Sequence, residues 1–327
     1  MKFRTFGVAA ATALALLVTA PAQAQSILNV GAFGADANKL DPHLSGGGQD
    51  RALFGYVFNG LMRFKPGSMD PKDIELDLAE SVSGSPDGLV WTVVLQKGVQ
   101  FHHGYGEMTA DDVIYSLDKA RDPKTSGFSK TFGVISGIEK IDSHSLKITL
   151  SDRVPTFEGI LADPSGGLII NKKAAEELGS DVKAVMVGTG PFQFDSYTPK
   201  NQTVLSAHAA YFRGKPKIDQ INYRYIPSDN ARELAFASGE IDLFYGRREQ
   251  DWVDRMRGQY GDSIEIDIFA PSQSRMLHLN QSVKPLDDIR VRKAIEHAIN
   301  RDEFQALIGK DITRQLRSPV PSGFLGQ

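Results

Sequence analysis

Apolar and polar positions change rhythm several times along this chain. Residues 26–31 (Ser26-Ile27-Leu28-Asn29-Val30-Gly31) read as a short first strand. Loop chemistry follows in Asp41-Pro42 and Ser45-Gly46-Gly47-Gly48, where consecutive glycines permit positive φ and a close approach of backbone to another group. Leu53, Phe54, Val57, Phe58, Leu61 and Met62 recur at helical spacing and predict a helix over 51–63. Trp91, Val93 and Leu95 alternate with Thr92, Val94 and Gln96 between two glycine-containing turns, the pattern of a hairpin strand. Thr109 stands three residues before Asp112 and just ahead of Val113, Ile114 and Leu117, a capping box that opens a helix running to about Ala120. Residues 138–150 read as two strands joined near Ser143.

Beyond Gly188-Thr189-Gly190-Pro191 the pattern turns strand-like at Phe192-Gln193-Phe194, Thr203-Val204-Leu205 and 221–225. A short helix over 230–237, capped by Asn230 and stopped by Gly239, precedes a strand at 241–244. Further strands are predicted at 264–268 and 276–280, and an amphipathic helix at 287–299. Strands and helices alternate irregularly, so the fold class is mixed α/β.

The first 24 residues stand apart. Lys2 and Arg4 precede an apolar stretch from Phe6 to Val18, and Ala22-Gln23-Ala24 offers small residues for cleavage. The stretch is shorter than the ~20 residues that span a bilayer, so it is a secretory signal peptide with cleavage after Ala24. The mature chain of about 300 residues is long enough for two lobes. A hydrophobic share of 41% and a charged share of 24% place it among globular proteins. A net charge of −3 gives no footprint for nucleic acid. The chain has no cysteine, which excludes disulfide staples and, with Gln25 after the cleavage site, a lipid anchor there. The expected location is therefore the periplasm.

No nucleophile elbow, phosphate-binding loop or dinucleotide fingerprint occurs in the sequence. His102-His103 with Glu107 is the nearest approach to a metal site, but the zinc spacings are missing, and a hydrogen-bonded turn histidine explains the pair better. No metal or cofactor is expected. Asp111-Asp112 and Asp287-Asp288 open predicted helices, where the macrodipole accounts for them. Tyr245-Gly246-Arg247-Arg248 follows a strand end. It could line a binding cleft or form a solvated loop with one packed ring.

In order, several segments match one family. Leu78-Ala79-Glu80-Ser81 and Ser85-Pro86-Asp87-Gly88-Leu89 look like its "LAESW…SDDGLTYTF" stretch. The run from Leu95 to Gly104 looks like "LRKGVKFHDG", and Thr109-Ala110-Asp111-Asp112-Val113 like "TAEDV". Gly188-Thr189-Gly190-Pro191-Phe192 resembles "GTGPY", 211–216 resembles "YWGGKP", and Ser238-Gly239-Glu240-Ile241-Asp242 resembles "SGEID". Pro285 to Ala298 resembles "PFDDVRVRQAINYA". The chain thus resembles the extracellular solute-binding proteins, family 5, of dipeptide and oligopeptide ABC importers, over essentially all of its mature length. His103 stands where the family usually has Asp.

The resemblance implies a two-lobed, periplasmic-binding-protein-like fold of type II with an extra subdomain. Lobe I would comprise 25–50 and 165–272, the subdomain 51–164, and 273–327 the start of an incomplete second lobe. The chain is expected to stop inside that lobe, to hold solute weakly on its own and to tend to associate, with Val291, Ala294, Ile295, Ala298 and Ile299 uncovered. The implied function is capture of a peptide-like solute by hinge closure and delivery to the importer's permease, by a monomeric carrier that is not an enzyme. An opine, an oligosaccharide or a nickel chelate is an alternative solute, and a secreted hydrolase an alternative of another class. By resemblance, Ser45, Gly46, Gly47, Gly48 and Gln49 face the cleft. Tyr245, Gly246 and Arg247 form the second candidate segment, and Arg247 could pair a ligand carboxylate.

Overall fold

The computed structural model describes residues 25–37, 39–68, 70–179, 186–268 and 276–316. The expected signal peptide lies outside these residues, as do 273–275 and 317–327 of the segment expected to open a second lobe.

Strand β1 (Ile27–Ala32) leads into helix α1 (Gly48–Val57). Strands β2 (Met62–Phe64), β3 (Ile74–Leu76), β4 (Ala79–Gly84) and β5 (Val90–Leu95) follow. Helix α2 (Ala110–Arg121) and the short α3 (Ser129–Phe132) precede strands β6 (Ile135–Asp142) and β7 (Ser145–Leu150). Helices α4 (Phe157–Leu161) and α5 (Lys172–Leu178) lead to β8 (Phe192–Thr198), β9 (Gln202–Ala207) and β10 (Gln220–Tyr225). Helix α6 (Asp229–Ala237), strand β11 (Leu243–Phe244) and helices α7 (Gln250–Tyr260), α8 (Ile289–Ala298) and α9 (Arg301–Ile308) complete the described chain.

Two sheets carry most of the packing. One is ordered β11-β1-β10-β9-β8, the other β4-β5-β7-β6. In the first, β1 runs parallel to both β10 and β11, while β8, β9 and β10 form an antiparallel meander. The second is antiparallel throughout. Alternation sorts the side chains: in β5, Val93 and Leu95 are fully buried and their neighbours are not. Each sheet has its own apolar core. Leu78, Val93, Leu95, Val113, Leu117, Phe132, Leu146 and Ile148 belong to the core of the four-stranded sheet. Val30, Leu53, Phe54, Val57, Leu205, Ile221 and Tyr223 belong to that of the five-stranded sheet.

Three segments interlock where the sheets meet. The Gly188 N–H donates to His102 Nδ1 (3.3 Å), so the ring proton sits on Nε2, which donates to the Gly190 carbonyl at 3.0 Å. His208 Nδ1 reaches the same carbonyl at 3.1 Å, and the two imidazoles meet edge to face with centroids 4.8 Å apart. The Gly190 N–H donates to the Val57 carbonyl at the end of α1 (2.9 Å). A β-carbon on Gly190 would lie 2.6 Å from that oxygen, so only glycine permits the approach. The GTGP and FHHG segments are thus joint residues, and His102 is a hydrogen-bonded turn histidine. Among the described residues no group of three or more His, Cys, Asp or Glu could hold a metal ion. His103 occupies the left-handed region at φ 55, which His, like Asp, tolerates better than most residues.

Several sequence expectations need correction. The helix predicted over 51–63 starts at Gly48 and ends at Val57, so Gly48 and Gln49 are helical rather than loop. The apolar spacing that continued to Met62 spans two cores: Phe58 packs with the five-stranded sheet, Leu61 and Met62 with the four-stranded one. Helix α1, placed from residue 51 in the extra subdomain, packs on the five-stranded sheet. The helix near 230 is capped by Ser228, not Asn230. Residues 264–268 and 276–280 form no strand: Ile264, Ile266 and Ile268 lie against Trp252, Val253 and Met256 of α7. Helix α8 buries no residue, and Ile289, Ile299, Phe304 and Leu307 are exposed. No described helix is long and apolar enough to cross a membrane.

Candidate functional site

Because β1, β10 and β11 are parallel neighbours, their carboxyl ends lie on one side of the sheet. Ala32 pairs with Tyr225, and Gly31 with Phe244, so the chain leaves all three strands at one level. The loops that emerge there are 33–47, 226–228 and 245–249. Ligands of open α/β sheets sit in crevices outside the carboxyl ends of strands. Both candidate segments, 45–49 and 245–247, are in these loops or at the helix start directly after one.

The first segment is tightly built. The Ser45 and Leu44 N–H groups bond the Asp41 carbonyl (3.1 Å each), closing a turn. Ser45 Oγ donates to the Asp50 carboxylate in the first turn of α1. Gln49 is buried; its Nε2 donates to the Asp36 carbonyl (2.6 Å) and its backbone carbonyl accepts from Tyr223 OH (2.8 Å). Gln49 therefore fixes the loop after β1 from behind. Gly47 caps α1 in an extended conformation (φ −65, ψ 138), and none of Gly46, Gly47 and Gly48 adopts positive φ. A β-carbon at Gly46 or Gly48 would make only ordinary contacts. A β-carbon on Gly46 would touch the Phe128 ring (3.5 Å), and one on Gly48 would touch Phe33 Cζ (3.7 Å).

The loop is also anchored to the other sheet's body. His43 is fully buried, with Nε2 3.1 Å from the Leu168 carbonyl, and its own carbonyl accepts from the Gly127 N–H (2.9 Å). Lys119 of α2 pairs with Asp41 at 2.6 Å, with both side chains largely covered. Burial, reinforced by Lys119, pushes the His43 imidazole down to about 4, so it is neutral at physiological pH.

The second segment is braced in another way. Arg247 Nη2 donates to Asn230 Oδ1, and Nε lies 3.9 Å from Asp229 Oδ2. Asp229 also accepts from the buried Arg232, which donates to the Ile226 carbonyl at 2.6 Å. Arg247 thus cross-links the loop after β11 to the first turn of α6. Gly246 is bare because the Trp252 indole lies directly over its backbone. Tyr245 is exposed and meets Phe33 edge to face, with centroids 5.4 Å apart. Burial raises the Tyr56 and Tyr223 hydroxyls above the usual phenol range, and the charge of a Tyr245 phenolate opposes their ionisation.

Sequence reasoning missed Phe33, which touches both segments. Its signal was an aromatic at the first position past β1. A shallow groove of about 470 Å³ lies elsewhere, lined by Asp118, Arg121, Asp122, Pro123, Gly133 and Ile135. Its Arg121 is already bonded to Asp118 (2.7 Å) and the Ile135 carbonyl (2.9 Å), so it offers a solute little.

Loops converging at the carboxyl ends of parallel strands form the candidate solute site. The chain belongs to the Bacterial extracellular solute-binding proteins, family 5 Middle, whose profile matches residues 73–327. Among curated proteins it is 30% identical over 298 residues to the glutathione-binding protein GsiB of Escherichia coli O1:K1, covering 90% of this chain and 56% of that one. Among solved structures it is similar to the binding protein MoaA of A. tumefaciens R10 in complex with mannopinic acid: 43% identity, TM-score 0.82, 91% of this chain and 60% of that one. It is also similar to the periplasmic binding protein DppA of Helicobacter pylori in complex with the peptide STSA: 27% identity, TM-score 0.74, 93% and 62%. The chain therefore spans little more than half the length of the relatives it matches.

Proposed function

We propose that this chain is the solute-capturing part of a peptide-type ABC importer's binding protein, exported to the periplasm by residues 1–24. It takes up a small peptide-like solute without altering it and passes it to the membrane permease. Family membership across residues 73–327 carries this reading. The five-stranded sheet, with α1, forms lobe I, and the four-stranded sheet forms the inserted subdomain. The packing of α1 on the five-stranded sheet supports a boundary between them near residue 58. Solute lies against Ser45–Gly48 and Tyr245–Arg247, with Gln49 as support behind them. A guanidinium has five donors, so Arg247 can keep its bond to Asn230 and still meet an anionic group. Hinge closure over the solute favours the bound state.

A second reading concerns the solute. Identity is higher to the mannopinic-acid complex (43%) than to the glutathione-binding and peptide-bound relatives (30% and 27%). That difference favours an opine-type acid over a peptide. Mass spectrometry of small molecules released from the purified protein tests both readings. The expected result is a stoichiometric small acid, recovered unchanged after prolonged incubation with the protein. Progressive conversion of that molecule would instead make the protein an enzyme.

A further inference from the structure

Phe33 and Tyr245 are each 42% exposed. Among the described residues, Phe304 of α9 is the one other Phe, Tyr or Trp found among the exposed large hydrophobic side chains. Phe33 and Tyr245 are also in contact with each other, and they occupy equivalent places: each is the first residue beyond the carboxyl end of its strand, β1 and β11, and those strands are paired in parallel. Burying a phenyl or phenol ring is among the larger apolar gains available to a side chain, so two such rings left open together at a strand-end crevice are costly unless something covers them.

The surroundings keep the pair open. Gly48 lies beside Phe33, where a β-carbon would come within 3.7 Å of Cζ. Gly246 lets the Trp252 indole pack against the loop backbone, and Tyr245 beside it stays exposed. Tyr223 supports the arrangement from inside: its hydroxyl holds the Gln49 carbonyl, and it is among the phenols whose ionisation Tyr245 opposes. Phe33 and Tyr245 therefore rest on the two segments already assigned to the solute.

We propose that Phe33 and Tyr245 form an apolar subsite that receives the aliphatic C–H face of the solute, while the polar loops 45–48 and 246–247 receive its charged end. This assignment rests on the solute-binding reading above and narrows it to amphipathic solutes, small acids with a saturated carbon face. In an edge-to-face pair one ring presents its π-face and the other its rim, an arrangement that suits C–H groups.

Ligand-observed saturation-transfer NMR on the whole protein tests it, with mannopinic acid and glutathione as probes. Saturating the aromatic protons should attenuate the carbon-bound protons of a bound probe most strongly. Phe33→Ala and Tyr245→Ala should each weaken binding about tenfold, a loss of ~1.4 kcal/mol, and Tyr245→Phe, which keeps the ring, should lose less than Tyr245→Ala. If the alanine variants lose their fold by circular dichroism, the milder Phe33→Leu and the saturation pattern of the parent decide the matter. A parent that binds a probe, with folded Phe33→Ala and Tyr245→Ala binding equally well, overturns the subsite and leaves the solute-binding reading intact. So does a parent that binds a probe with no aromatic-to-aliphatic transfer. A parent that binds neither these probes nor a panel of peptides overturns the binding reading and the subsite with it.

Discussion

At the scale of single residues, burial governs the ionisable groups that hold the site. His43 and His102 are both fully covered, and desolvation depresses their imidazoles to about 4 and about 3. Each folded-state value lies below the ~6.5 of an unfolded histidine. The unfolded chain therefore binds more protons between these values, and stability present above pH 6.5 is lost as pH falls through the folded-state range. By pH 4.5 each histidine should have removed on the order of 2–3 kcal/mol. Urea unfolding midpoints at pH 7.5 and pH 4.5 should differ strongly in the parent and much less in a His43→Gln/His102→Gln double variant. Equal acid sensitivity in the two proteins would assign the effect to the carboxylates. The sequence marked His102 as a turn histidine, and the structure supplies its partners. His43 drew no notice in the sequence, since its ring partner, the Leu168 carbonyl, is 125 positions away, and the charge that acts on it comes from Lys119 of α2.

At the scale of elements, local chemistry was legible wherever it closes locally. The capping box of α2 forms as the spacing predicts, with the Asp112 carboxylate accepting from the Thr109 N–H at 3.0 Å. That carboxylate does more than the box requires. Its other oxygen accepts from the Lys172 N–H at the start of α5 (3.0 Å), and burial raises its pKa. Thr109→Ala should thus cost about 1 kcal/mol, a usual cap loss. Asp112→Ala should cost more, about 2–3 kcal/mol, because it also strands a covered backbone donor. Thermal unfolding of the two variants checks the order; equal losses would mean that the α5 contact adds nothing. Failures came where periodicity had to name a partner. Alternation at 264–268 marked an apolar face correctly, but that face meets α7 rather than a neighbouring strand. Helical spacing ran on past Val57 because two successive cores happen to sample the chain at compatible intervals.

At the scale of the whole molecule, the ordered motifs proved more informative than any element. GTGP and FHHG are far apart in sequence, and each looked weak alone. They meet at the joint between the two sheets, so a chain that carries both in order carries the joint. The apolar face on α8 and α9 belongs to this scale too. Ile289, Ile299, Phe304 and Leu307 are between 42% and 83% exposed, and large apolar side chains left open on successive helices promote association. Sedimentation should show concentration-dependent association that Phe304→Lys/Leu307→Lys relieves, and a monomer at every concentration would contradict it. The candidate site was harder to read than the fold. Its loops are adjacent only because β1 and β11 pair across 213 positions of sequence, and Phe33 becomes visible as a candidate only once that pairing is known.

The central claim is that a small solute is held where β1, β10 and β11 end. Amide hydrogen exchange, with and without saturating mannopinic acid or glutathione, measures this directly. Protection should rise in residues 33–49 and 245–249, with little change in the four-stranded sheet. Protection confined to the α2 groove around Arg121, or none at saturating solute, would contradict it.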